Sequence, residues 1–136
     1  MYLRLVLLEL LQIIVQTLDL GFGADDFATV PNRVISMIVE YEKQGRVAII
    51  TLNRPEARNA VSGELAQALE SAVDRFENDE EVWVGILAGN GPVFCAGADL
   101  KAVAAGNANL GTKRGGFGGF VTLDRTKPMI AAVEGP

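Results

Sequence analysis

The spacing of apolar residues changes period twice between residues 38 and 88, and each change marks an element. Residues 38–43 alternate, with Ile38, Glu40 and Glu42 on one face and Val39, Tyr41 and Lys43 on the other, the period of a half-buried strand. Gln44-Gly45 then reads as a two-residue turn into residues 46–52, which predicts a β-hairpin. Pro55 ends the second strand, because it has no N–H for a ladder, and residues 53–60 read as a loop. Ser62 is a good N-cap and Glu64 a favourable first-turn charge. Beyond them Leu65, Leu69, Ala72, Val73 and Phe76 recur at helical spacing, so a helix with one buried face runs to about Asn78. Residues 82–88, Val-Trp-Val-Gly-Ile-Leu-Ala, are apolar throughout, as a strand covered on both faces is. A strand, a helix and a second apolar strand in that order predict a parallel crossover and an α/β fold.

After the breakers Gly89-Asn90-Gly91-Pro92 comes Phe94-Cys95-Ala96-Gly97-Ala98-Asp99-Leu100-Lys101, which leads into a short helix over residues 99–105. Amides at such a strand-to-helix passage lack intrahelical acceptors and face outward toward negative charge. The stretch is therefore a candidate oxyanion site made of backbone alone. A glycine-rich segment through Gly115, Gly116, Gly118 and Gly119 reads as a mobile loop over a pocket, with Phe117 and Phe120 as its apolar wall. Lys127-Pro128 introduces a short buried strand at residues 129–133, and Gly135-Pro136 follows. An apolar strand in last place lacks the element that should cover it, so the domain reads as cut short.

Two other patterns fail on inspection. Residues 106–113 have glycines at P-loop distance, but Thr112 and Lys113 stand in the wrong order for its Gly-Lys-Ser/Thr ending. Arg114-Gly115-Gly116-Phe117 is a single RGG-like copy in an acidic chain, too little for RNA binding.

Residues 1–23 are rich in leucine, but Arg4, Glu9 and Asp19 interrupt them, leaving no uncharged run near the roughly 20 residues of a membrane span. As a helix they would set Glu9, Gln12, Gln16 and Asp19 in one polar stripe. Glu9 also spoils the apolar centre of a secretory signal. Residues 21–36 mix Gly, Asp, Pro and Asn without period and read as a linker. Residues 1–36 are thus expected to be an N-terminal extension, an apolar helix plus linker, and residues 37–136 the domain. Two accounts of the extension stay open: a stretch upstream of an ordinary start at Met37, or an amphipathic helix that brings the chain to a membrane or partner.

Composition narrows the chemistry. The 136 residues are 49% hydrophobic and 21% charged, which excludes a disordered chain. A net charge of −5 argues against nucleic acid or an anionic membrane as a general partner. There is no histidine, which removes every Ser-His-Asp, Cys-His and His-metal arrangement, and no metal site is expected. The single cysteine, Cys95, cannot form an internal disulfide, so a reducing, cytoplasmic setting is expected. Without an adjacent base it reads as a small buried side chain rather than a nucleophile.

Three pieces in sequence, Leu52-Asn53-Arg54-Pro55-Glu56-Ala57-Arg58-Asn59-Ala60, the Phe94 to Lys101 motif, and Pro128-Met129-Ile130-Ala131-Ala132-Val133-Glu134-Gly135-Pro136, resemble the crotonase family of enoyl-CoA hydratases and isomerases. The resemblance covers residues 38–136. It implies a crotonase-like spiral of ββα repeats, truncated after the first half, and an acyl-CoA thioester as substrate, with coenzyme A part of that substrate and no separate cofactor. It implies that the Ala98 N–H is one of two oxyanion donors, and that the backbone around Ala96 and Leu100 holds the adenine, with Asp99 shaping the turn. Arg58 and Ala60 would lie along the pantetheine and pyrophosphate path, with Lys101 a weaker candidate for the same anionic tail. The full-length protein would be a homotrimer or hexamer. In the family the second oxyanion amide and the two acid/base glutamates come after the position of Pro136, so the isolated chain is expected to be inactive. The alternative is a non-catalytic acyl-CoA-binding or interaction fragment. Hydratases, isomerases, dehalogenases and thioester hydrolases share this half, so the reaction and acyl chain stay open.

Overall fold

A computed structural model describes residues 34–35, 38–107 and 109–135. The helix expected at residues 1–23, and the linker except for Val34 and Ile35, lie outside the described residues. Among the described residues five strands form one sheet in the order β1-β2-β3-β4-β7: β1 (Val34–Ile35), β2 (Val39–Gln44), β3 (Val47–Leu52), β4 (Val84–Gly89) and β7 (Met129–Ala132). The hairpin forms as expected, but its turn lies one residue later. Gln44 pairs with Val47, leaving Gly45-Arg46 at the corner. Gly45 takes the first corner position at φ 55°, a left-handed conformation that hairpin corners demand and glycine supplies without a Cβ penalty.

Helix α1 (Gly63–Asn78) starts at Ser62, whose side chain accepts from the Leu65 N–H. Its apolar stripe, Leu65, Leu69, Val73 and Phe76, is buried against Val39, Tyr41, Ile50 and Leu52 of the hairpin. β3 and β4 run parallel across it, which completes the predicted crossover. All six residues of β4 are buried. The strand begins two residues later than the apolar run, because Trp83 turns out of the sheet to 43% exposure. There the Arg46 guanidinium stacks on its ring at 4.2 Å.

β7 pairs in parallel with β4 but is not the buried strand expected. Ile130 is 41% exposed and Val133 68%, because β7 is the sheet's edge and no described element covers its outer face. α2 is Leu100–Ala104, with Asp99 as its N-cap, so the predicted helix over 99–105 is shorter by its two end residues. The glycine-rich segment is no open loop: β5 (Gly111–Thr112) and β6 (Gly116–Phe117) pair antiparallel. Here a helix, α2, precedes a strand, β5, the reverse of the strand-to-helix order of a P-loop. Cys95 is half-buried and packs on the rim of the core rather than inside it.

Candidate functional site

The loop after β3 folds around Asn59. Pro55–Ala57 make one 3-10 turn, and Arg58 and Asn59 follow in left-handed conformations at φ 51° and 54°. Asparagine tolerates that region better than most residues. Its side chain, 0% exposed, accepts from the Arg54 N–H at 2.8 Å and donates to the Asn90 and Val93 carbonyls at 2.9 and 2.8 Å. One buried amide thus ties the loop after β3 to the turn after β4.

The backbone continues the tie. The Ala96 N–H donates to the Arg58 carbonyl at 2.9 Å, the Val61 N–H to Gly97 at 2.7 Å, and the Asp99 N–H to Val61 at 2.9 Å. These bonds make Val61 and Ala98 a parallel bridge. In a parallel bridge the residue opposite contributes only through its two neighbours, so its own N–H points the other way. The Ala98 N–H has no acceptor among the described residues.

Arg54 and Asp99 fix the end of the motif. The Arg54 guanidinium donates to the Ala60 carbonyl at 2.7 Å and to the Asp99 carboxylate at 3.0 Å. The other Asp99 oxygen accepts from the Lys101 and Ala102 amides, both at 3.1 Å. The Ala102 amide first, and then Arg54, hold the Asp99 carboxyl below the usual carboxylate range. With both oxygens engaged Asp99 is an anchoring anion and a poor base.

Ala98 lines an open cavity of about 1280 Å³, and the other six residues singled out from the sequence, Arg58, Ala60, Ala96, Asp99, Leu100 and Lys101, line it too. Arg54 and the start of α1 at Ser62 and Gly63 complete one side of it. A second cavity, of about 420 Å³, is lined mainly by apolar side chains, among them Leu65, Leu69, Leu87, Phe94, Phe117 and Phe120. Both phenylalanines expected in an apolar wall are there. The two cavities share one partition: Ala60, Ala96 and Ala98 face the first, Val61 and Cys95 the second.

Arg54 and Asn59 were not singled out from the sequence. Both stood inside the Leu52 to Ala60 motif, but the partners that tie them to the rest of the site are a carboxylate and two carbonyls more than thirty residues on, and carbonyls carry no sequence signal.

Residues 42–136 match the enoyl-CoA hydratase/isomerase family. The chain is 43% identical over 102 residues to enoyl-CoA hydratase EchA19 of Mycobacterium tuberculosis, covering 70% of this chain and 38% of that protein. Among solved structures, a probable enoyl-CoA hydratase/isomerase of Mycobacterium abscessus is 44% identical with a TM-score of 0.66, over 74% of this chain and 38% of that one. A carnitinyl-CoA hydratase of Mycobacterium avium is 43% identical with a TM-score of 0.69, over 74% of this chain and 40% of that one. The chain spans well under half the length of these relatives. A match from Glu42 to Pro136, carried at this identity by sequences and structures alike, means that the chain belongs to the enoyl-CoA hydratase/isomerase family.

Proposed function

We propose that this chain is the coenzyme A-binding portion of an enoyl-CoA hydratase/isomerase-type enzyme, and that it holds a thioester carbonyl on the Ala98 N–H. The observation that carries the reading is that outward amide, without an acceptor among the described residues, on the partition between a large cavity of mixed lining, which carries Arg54, Arg58 and Lys101, and a smaller apolar one. Ala98 is only partly buried and lines an open cavity, so its N–H is free to take an acceptor that seats there, a bond worth about 0.5–1.5 kcal/mol net. As a thioester becomes an enolate its oxygen gains charge, and a fixed donor at that point typically contributes about 10²- to 10³-fold in rate. In this arrangement the apolar cavity takes the acyl chain. The coenzyme lies in the larger cavity, with its adenine against Ala96 and Leu100. Arg58 and Lys101 meet its phosphates, where a guanidinium offers two parallel donors. The pantetheine passes Ala60, and Asp99 acts through the turn it holds.

The complete protein, in this reading, continues as a spiral of ββα repeats and assembles as a trimer or a dimer of trimers. The second oxyanion amide and the acid/base groups belong to that remainder. A non-catalytic acyl-CoA-binding role for the chain by itself has one observation in its favour: no Asp or Glu lines the apolar cavity among the described residues.

Ala98→Pro tests the reading, because it removes the N–H while the bridge bonds of Gly97 and Asp99 do not use it. Titration calorimetry should show crotonyl-CoA binding weakened by about tenfold, one lost hydrogen bond, with free coenzyme A changed by less than about twofold. Equal losses for both ligands, or none for either, would remove the carbonyl from this amide.

A further inference from the structure

A polar cluster away from the partition joins α1 to the glycine-rich hairpin. The Glu70 carboxylate accepts from the Thr112 hydroxyl and from the Gly115 N–H, the latter at 3.0 Å. The same Gly115 N–H also donates to the Thr112 hydroxyl oxygen at 2.8 Å. The Arg114 guanidinium stands 3.4 Å from the other Glu70 oxygen and also binds Asp74, one turn further along α1. A single carboxylate thus gathers the two ends of the hairpin's corner.

The hairpin has little stiffness of its own. Its strands are two residues each, and Gly116, Gly118 and Gly119 all stand at positive φ. Yet Phe117, Gly118, Phe120 and Val121, which begin two residues after Gly115, form one wall of the apolar cavity. Beyond the corner the wall is held by the Gly118 N–H on the Leu110 carbonyl, at 2.9 Å, by Thr122 on the Gly115 and Arg114 carbonyls and by the close approach of Gly119 to Ala66. At the corner itself the side chain that joins it to α1 through both Thr112 and Gly115 is Glu70.

We propose that Glu70 is a positioning residue that fixes this wall and so sets the length of acyl chain the apolar cavity accepts. The inference rests on the acyl-CoA reading above. Each methylene that finds apolar cover is worth roughly fourfold in Kd. A wall that stays in place ends that gain at a definite chain length, and a wall that yields lets it continue.

The test measures Kd for butyryl-, octanoyl- and dodecanoyl-CoA with the unsubstituted protein, Glu70→Ala and Glu70→Gln, together with amide hydrogen exchange over residues 112–121. The unsubstituted protein should stop gaining affinity before dodecanoyl-CoA. Glu70→Ala should bind dodecanoyl-CoA about tenfold more tightly, the gain of about two further methylenes, with butyryl-CoA within about twofold and faster exchange confined to the hairpin. Glu70→Gln keeps an acceptor for the Gly115 N–H and should retain most of the discrimination. A uniform loss across all three esters, or a chain-length profile identical in all three proteins, overturns the assignment. If no ester binds the unsubstituted protein, the acyl-CoA reading falls and the length selection with it. Unchanged exchange in Glu70→Ala separately sinks the wall-holding role.

Discussion

Asp99 illustrates how much one side chain can hold when both of its oxygens are used. Its carboxylate caps α2, pairs with Arg54 and through Arg54 reaches the Ala60 carbonyl, so three segments of the site meet on one charge. The Ala102 amide and Arg54 lower its pKa in the folded chain from an unfolded value of about 3.9. A carboxyl whose pKa is depressed by folding adds stability that is fully present above the unfolded value and drains away as pH falls through the folded one. Asp99→Asn should therefore lower stability at neutral pH and flatten its decline below about pH 4. Urea midpoints measured from pH 2 to 7 check this, and parallel curves for the two proteins would show that Asp99 contributes no such linkage. The resemblance implied that Asp99 shapes the turn, but its place as the cap was not read from the sequence, which put residue 99 inside the helix rather than at its N-cap. The Arg54 pair was not legible either, because nothing local relates a loop arginine to an aspartate 45 residues later.

At the scale of elements, legibility followed periodicity. α1 and the crossover it makes were readable because a buried helical face and a doubly covered strand each impose a pattern on consecutive residues. β7 carries an apolar pattern as well, but the exposure of its outer face is set by what lies over the sheet edge, which no strand encodes in itself. The β5–β6 hairpin is a different case. Glycines have no side-chain period, so pairing between them is invisible, and the segment reads as loop. Its docking on α1 depends on bare backbone: a Cβ at Gly119, which stands at φ 64°, would come within 2.0 Å of the Ala66 carbonyl oxygen. A main-chain atom of a packed helix cannot step aside as a flexible side chain could. Gly119→Ala should therefore lift the hairpin from α1 and cost about 2–4 kcal/mol, combining backbone strain with the clash. The urea midpoint reports the loss, and faster exchange at Gly115 and Phe120 locates it. A variant as stable as the unsubstituted protein would mean that the hairpin is not docked in this way.

For the molecule as a whole, binding and turnover separate. Hydration of an enoyl thioester needs one carboxylate to activate water and an acid to return a proton, both held beside a polarised carbonyl. Among the described residues no carboxylate lines the apolar cavity. The acids at the larger cavity are Glu56, Glu64 and Asp99, and Asp99 is committed to Arg54 and two amides. A single amide donor can orient a thioester without moving a proton. On the reading proposed above, the 136-residue polypeptide, whose matched 102 residues cover 38% of the relative EchA19, should accordingly bind crotonyl-CoA and leave it unchanged. Loss of the enoyl absorbance should proceed no faster with the chain than in buffer, under conditions where calorimetry shows the ester bound. Hydration above that blank would mean that Glu56 or Glu64 reaches the double bond. Full rate in a longer version carrying the relatives' remaining segments, against none here, would place the proton chemistry in those segments and leave to this one the holding of the ester.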